Sequence, residues 1–211
     1  GMVVSIYVPQ EEQEPNVLVV GAMAVDAKGQ PSQDLQAGRS TPGAVHFAIG
    51  GVGRNIAETL ARLGVRTTLL SAVGDDPIGH SLLESTTRSG IDTSYVVTST
   101  QHRTAGYIAI LDQNGIPAYA IDDMAVMQEI TPGLVYRHRR LVRDADMMVL
   151  DANLSPRTIA SLFDLAHKYD CPVCVDPTSA LLAPRFIPHL SDILLMTPNA
   201  SEAEVLTGLD L

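Results

Sequence analysis

A chain of 211 residues is long enough for one α/β domain with a sizeable core, and 45% apolar against 18% charged residues excludes a disordered polymer. The 24 acidic and 14 basic side chains give a formal charge of −10, a field that repels phosphate backbones and excludes a nucleic-acid polymer as partner, though not a nucleotide. No apolar run approaches the ~20 residues of a membrane span, and the location to expect is the cytoplasm.

Residues 1–16, with Glu11, Glu12 and Glu14, read as a flexible tail, neither secretory signal nor transit peptide. Val17–Val20, closed by Gly21, has the look of a buried parallel strand. Ala27 to Gly43, rich in Gly, Pro, Ser and Gln, reads as loop or edge strand. Ile56, Ala57, Leu60, Ala61 and Leu63 recur at helical spacing until Gly64 supplies a C-cap. Thr67–Val73 predicts a strand and Ile78–Ser89 a helix. Tyr107–Leu111 and Ile116–Ile121 flank Asp112-Gln-Asn-Gly115, a hairpin signal in which Asn114-Gly115 can take φ > 0. Alternation resumes with a strand at Met147–Asp151, a helix capped by Ser155 and running to Lys168, strands at Pro172–Asp176 and Ile193–Met196, and a helix over Ala200–Thr207.

Such alternation with short links predicts a doubly wound, mainly parallel sheet covered by helices on both faces, with the hairpin as a small second layer or β-lid. Cys171 and Cys174 share a C-x-x-C spacing, but residues three apart on a strand point to opposite faces, so they read as packing residues. The basic run Arg137-His-Arg-Arg140 reads as a solvated helix face.

Ligands of open α/β sheets bind beyond the carboxyl ends of the strands. Asp26 is expected just past the first strand, Gly50-Gly-Val-Gly-Arg-Asn55 before a helix, Asp151 and Asn153 after a later strand, Asp176 after the next, and Asn199 with Glu202 after the last. The glycine segment lacks the G-K-[ST] ending of a Walker A loop and the third glycine of a dinucleotide fingerprint. On its own it is equally a structural turn, and Asn199 with Glu202 is equally a helix capping box.

Taken together, Gly50-Gly-Val-Gly-Arg-Asn-Ile-Ala-Glu58, Ser71-Ala-Val-Gly-Asp75, Ile121-Asp-Asp-Met124, Asp151-Ala-Asn153, Val175-Asp-Pro177 and Thr197-Pro-Asn-Ala-Ser-Glu202 resemble the PfkB family of carbohydrate kinases, pseudouridine kinases most of all. The resemblance implies a ribokinase-like fold over 17–211, with the β-lid at about 27–48 and 103–123. It implies ATP-dependent phosphorylation of a ribosyl 5′-hydroxyl, pseudouridine being the leading acceptor. ATP and Mg²⁺ are the implied cofactors, and a monovalent cation is left open. A homodimer through the β-lid is implied as well. Asp26, Gly50, Gly51, Asn55 and Asn153 would hold the sugar, a residue at Thr104 would meet the base, and Asn199, Glu202 and Asp176 would serve metal and phosphate.

Two departures stand out. Ala24 occupies a position where the family usually has Asn. The family's Gly-Ala-Gly-Asp loop, which carries the catalytic Asp, does not occur in the sequence and is expected beyond Leu211. The chain alone is therefore expected to be inactive, as part of a longer enzyme or as a non-catalytic ligand-binding remnant. A ribokinase or another nucleoside or sugar kinase remains the alternative within the family.

Overall fold

The computed structural model describes residues 14–210. Residues 1–13 of the expected tail lie outside the described residues, and Asn16 already belongs to the first strand. In chain order the strands are β1 (Asn16–Val20), β2 (Ala24–Pro31), β3 (Gly43–Gly50), β4 (Arg66–Leu70), β5 (Ala72–Gly74), β6 (Val97–Ser99), β7 (Gly106–Leu111), β8 (Pro117–Asp123), β9 (Met147–Asp151), β10 (Val173–Asp176) and β11 (Leu195–Met196). The α-helices are α1 (Val52–Arg62), α2 (Pro77–Arg88), α3 (Pro132–Arg137), α4 (Arg140–Arg143), α5 (Pro156–Lys168) and α6 (Ala200–Thr207), with 3₁₀ segments at Ala125–Glu129 and Ala183–Asp192. None of these helices is long and apolar enough to cross a membrane.

The main sheet has the order β11-β10-β9-β1-β4 and every pair in it is parallel. β1 shows why it is doubly wound. Val17 and Val19 pack with Ala57 of α1 and Leu82 of α2, whereas Leu18 and Val20 pack with Val135 of α3 and with Ile159 and Leu162 of α5. Alternate side chains of one strand thus bury two helical layers, each fully buried aliphatic contributing about 1.5–3 kcal/mol. Local chemistry sets the helix starts. The Ser155 hydroxyl accepts from the Thr158 N–H at 3.1 Å and Pro156 occupies the first turn.

The β-lid is a second sheet of order β3-β2-β7-β8. β2 is antiparallel to β3 and parallel to β7, which turns back into β8. Its strands reach from Ala24 to Gly50 and from Gly106 to Asp123, beyond the expected 27–48 on the first arm. One face carries Val45, Phe47, Ile108, Ile110, Tyr119 and Ile121, all exposed. In the hairpin loop only Gly115 has a positive φ, 78°. Asn114 does not, because the turn closes by Gly115 N–H to the Asp112 carbonyl at 3.0 Å and the Asp112 carboxylate accepts from the Asn114 and Ile116 N–H groups.

Several boundaries differ from expectation. The single strand expected at Thr67–Val73 is two, because the chain changes sheets at Ser71; β5 pairs with β6 instead. The strand expected at Ile193–Met196 keeps only Leu195 and Met196. The segment 125–143 and the 3₁₀ stretch Ala183–Asp192 carry helical turns that hydrophobic spacing did not announce. Thr131-Pro132 was the available signal, since the Thr131 hydroxyl caps α3 by accepting from the Leu134 N–H.

Cys171 and Cys174 are buried free thiols, and burial pushes the Cys171 thiol up to about 11, the reverse of a reactive thiolate. Arg137 and Arg140 are exposed at the ends of α3 and α4 and border a cavity of about 490 Å³ beside the amino ends of β1 and β4.

Candidate functional site

The carboxyl ends of β1, β9, β10 and β11 lie side by side, and a buried carboxylate ties them to the glycine segment. Asp151 ends β9 and is fully buried. Its Oδ2 accepts from the Ala22 N–H at 2.8 Å and the Gly53 N–H at 3.0 Å, and its Oδ1 from the Asn153 N–H at 2.9 Å. The Asn153 Nδ2 adds a fourth bond to Oδ2 at 3.3 Å. Burial pushes the Asp151 carboxyl above its ordinary range, and these donors work against the rise. Glycine is required here, since a Cβ on Gly53 would stand 2.7 Å from the Gly21 backbone. Gly51 has φ 91° and starts α1 pressed against the backbone of Ala22 and Met23. The glycine segment is therefore a close-packing device at the β1–β2 link.

Asp26 does not follow the first strand. It sits inside β2, paired with Ala48 of β3 and Tyr107 of β7. Its carboxylate lies against Gly50, where a Cβ would come within 2.6 Å of Oδ2. Among the described residues none donates a hydrogen bond to it, and burial pushes its pKa up, with Lys28 opposing. A partly desolvated acceptor without a protein donor is suited to a ligand that brings its own hydroxyls. Asn55 is exposed on the first turn of α1 beside the buried Arg54, whose guanidinium binds Glu58 at 2.7 Å and Thr86 at 3.3 Å and so locks α1 to α2.

Thr104 is already engaged. Its hydroxyl donates to Asp76 Oδ1 at 2.8 Å and accepts from the Gly74 N–H at 3.0 Å, while its N–H donates to Asp76 Oδ2 at 2.9 Å. Asp76 also caps α2 through the Gly79 N–H at 2.7 Å. Thr104 thus fixes the entry of the lid strand β7 and does not present a free hydroxyl. Asp76 was not read from the sequence, although Asp-Pro before a helix was a usable signal.

At the other end of the rim, Asp176 accepts from the Thr178 N–H at 2.8 Å, and the Thr178 hydroxyl accepts from the Ala152 N–H at 2.9 Å. Asn199 and Glu202 form a reciprocal capping box on α6: the Glu202 N–H donates to Asn199 Oδ1 at 2.9 Å, and the Asn199 N–H to Glu202 Oε2 at 3.0 Å. Asn199 Nδ2 donates to the other carboxylate oxygen at 3.1 Å. β11 is two strands from β9, so these groups stand about 10 Å along the rim from Asp151. No contact joins the Asp26 group to the Asn199 group among the described residues. A cavity of about 530 Å³ opens beside Asn153, lined in part by Asp122, Met124, Ser179 and Arg185, and neither Asp26 nor Asn199 lines it.

No cluster of three or more His, Cys, Asp or Glu is placed to cage a metal among the described residues. Glu202 spends one lone pair of each oxygen within its capping box and keeps others, which fits a cation that retains its own waters and takes most of its ligands from phosphates.

Comparison with known proteins bears on this geometry. The family model described as pfkB family carbohydrate kinase matches residues 14–211. The chain is 37% identical over 195 residues to the pseudouridine kinase of Escherichia coli, covering 92% of this chain and 62% of that protein. It is 27% identical over 195 residues to the ribokinase of Bacillus subtilis, covering 90% of this chain and 64% of that one. Among solved structures, a carbohydrate kinase from Agrobacterium tumefaciens superposes with TM-score 0.82 at 30% identity, covering 92% of this chain and 64% of that chain. The Arabidopsis thaliana ribokinase complexed with ribose and ATP, at 20% identity and TM-score 0.79, shares the fold. The chain thus spans somewhat less than two thirds of the length of these relatives.

Proposed function

The chain belongs to the pfkB family of carbohydrate kinases, and on that premise we propose that the protein transfers a phosphoryl group from ATP to the 5′-hydroxyl of a ribosyl acceptor, pseudouridine before other nucleosides or ribose. The observation that carries the proposal is the Asp26 carboxylate, desolvated, against Gly50, and without a protein donor. A vicinal diol supplies two O–H donors to such a carboxylate in fixed geometry. Gly50 leaves the carboxylate approachable, and Asn55, exposed on the first turn of α1, offers a donor and an acceptor. Asn153, oriented by Asp151, completes the sugar end of the rim. Gly51 sets the start of α1.

At the far end Asp176, Asn199 and Glu202 would hold the waters of Mg²⁺ near the nucleotide phosphates. ATP with Mg²⁺ supplies the transferred group and the charge that neutralises it. These residues orient and bind, and the proton acceptor is not among them, because no Gly-Ala-Gly-Asp segment occurs in the sequence. The exposed apolar face of the lid supports a homodimer in which a second copy covers it. The 37% identity to a pseudouridine kinase favours pseudouridine, while Ala24, which lacks the polar group the family usually offers there, favours a broader acceptor range as the second reading.

The test is phosphoryl transfer by the full gene product with pseudouridine, uridine and ribose as acceptors. Asp26→Ala should lower kcat/KM at least about 10²-fold, from the loss of two charge-assisted hydrogen bonds of ~1.5–3 kcal/mol each. Turnover by Asp26→Ala within threefold of the parent would overturn the assignment of the sugar end.

A further inference from the structure

Asp26 is the first member of a row. The strand register pairs Asp26 of β2 with Tyr107 of β7, and Tyr107 with Asp122 of β8. Directly paired residues project from the same face of a sheet, so a carboxylate, a phenol ring and a second carboxylate follow one another across the lid at about 4.8 Å per strand. The apolar residues Val45, Phe47, Ile108 and Ile121 lie on the opposite face. The same face carries the small side chains Ala48, Ala109 and Ala120, with Lys28 and His46 on the far side of Asp26, and Tyr107 is half-buried on it.

Neither Tyr107 nor Asp122 makes a side-chain hydrogen bond or ion pair among the described residues. Their neighbours are committed: the Asp123 carboxylate accepts from the Ala125 N–H, and the Thr104 hydroxyl belongs to Asp76. Asp122 also borders the cavity of about 530 Å³ that Asn153 lines, so the Asp122 end of the row opens beside the residues that follow β9.

We propose that Tyr107 and Asp122 read the base of a nucleoside whose ribose is held by Asp26, with Tyr107 stacking on the ring and Asp122 accepting a hydrogen bond from a ring N–H. The inference rests on the ribosyl-kinase reading above and deepens it. An ionised carboxylate only accepts, so it selects for a donor on the base edge it meets. The N3–H is common to uridine and its C-linked isomer, but N1 carries the sugar in the N-linked base and an N–H in the C-linked one. Facing the N1 edge, Asp122 favours the C-linked base, and free ribose presents nothing to either residue.

The experiment uses the full gene product with pseudouridine, N1-methylpseudouridine and uridine, in steady-state turnover and in calorimetric binding. Asp122 is exposed, and circular dichroism checks that Asp122→Ala folds as the parent does. The expected result is that the parent prefers pseudouridine to its N1-methyl derivative by 10-fold or more in kcat/KM, and that Asp122→Ala reduces this ratio to within 3-fold of unity. Tyr107→Ala should weaken all three pyrimidine nucleosides together. An unchanged ratio in Asp122→Ala overturns the inference while leaving the kinase reading intact. Absence of turnover with every acceptor overturns the kinase reading, and the base-reading row is then judged by binding alone. A parental affinity equal for pseudouridine and its N1-methyl derivative sinks it, and a preference lost in Asp122→Ala sustains it.

Discussion

Replacing Asp151 separates its charge from its shape. The carboxylate is fully buried, and Oδ2 carries the bonds from Ala22, Gly53 and the Asn153 amide, while Oδ1 carries the Asn153 N–H. In Asp151→Asn the amide oxygen can take the Oδ2 position and keep three bonds, leaving its NH₂ against the Asn153 N–H. One buried donor then faces another, a cost of about 1–3 kcal/mol. Asp151→Ala instead strips three backbone N–H groups of their acceptor, at ~1 kcal/mol or more each, so at least about 3 kcal/mol is lost. That is a large part of the ~5–15 kcal/mol that holds a typical domain. Urea unfolding followed by far-UV circular dichroism reads the difference as a shift of midpoint at constant slope. Asp151→Ala within 1 kcal/mol of the parent, or no more damaging than Asp151→Asn, would refute the idea that this carboxylate organises the rim.

Asp76→Ala removes the cap of α2 and the anchor of Thr104, and should cost about 1–2 kcal/mol at neutral pH. Burial alone would raise the Asp76 pKa, but the Thr104 and Gly79 N–H groups hold it below the usual carboxylate range. Its stabilisation is thus present above the unfolded pKa of ~3.9 and lost as pH falls through the folded value. The stability gap between Asp76→Ala and the parent should close on acidification, and a gap constant from pH 7 to 3 would count against this. Both thiols should resist iodoacetamide at pH 8 in the native protein and react on unfolding, as intact-mass measurement would show, because burial raises the pKa of each. Phe47→Asp should shift the protein toward monomer in sedimentation velocity if the apolar lid face is an interface, and an unchanged sedimentation coefficient would remove that face from consideration.

Where the sequence carried strong local signals, the elements were legible. Ser155-Pro156 with the spacing of Ile159, Leu162 and Phe163 marked α5, and the apolar run at Met147–Asp151 marked β9. β2 was legible only as loop or edge strand, since Asp26, Lys28, Gly29 and Pro31 all disfavour a strand, and it lies inside the lid sheet. Its conformation comes from pairing on both sides, with β3 and β7, which is non-local information. For the same reason Asp26 was expected at a strand end and lies within a strand. The 3₁₀ stretch with Pro188 inside and the two-residue β11 offer no periodicity to detect. Asp151 and Asp176 end their strands and Asn199 follows β11, at the carboxyl rim as expected, but the sequence did not separate groups tied to the backbone, such as Asp151 and Thr104, from the unpartnered Asp26. Tyr107 and Asp122 were invisible as a pair because only the register across segments far apart in the chain sets them beside Asp26.

The parallel pairing of β2 with β7 has a consequence for how the chain assembles. β7 and β8 are joined by a tight loop and can zip within microseconds, and β2 and β3 are linked by the eleven residues 32–42. β2 and β7, however, are separated by β3, α1, β4, β5, α2 and β6, and the cost of closing that long loop comes before any ladder bond rewards it. The seam between the two hairpins should therefore be the late step of folding, after β1 and β4 have brought α1 and α2 into place. Until that seam closes, each hairpin offers an open edge and an apolar face to other chains, so the yield of refolding should fall as protein concentration rises even though each half forms readily.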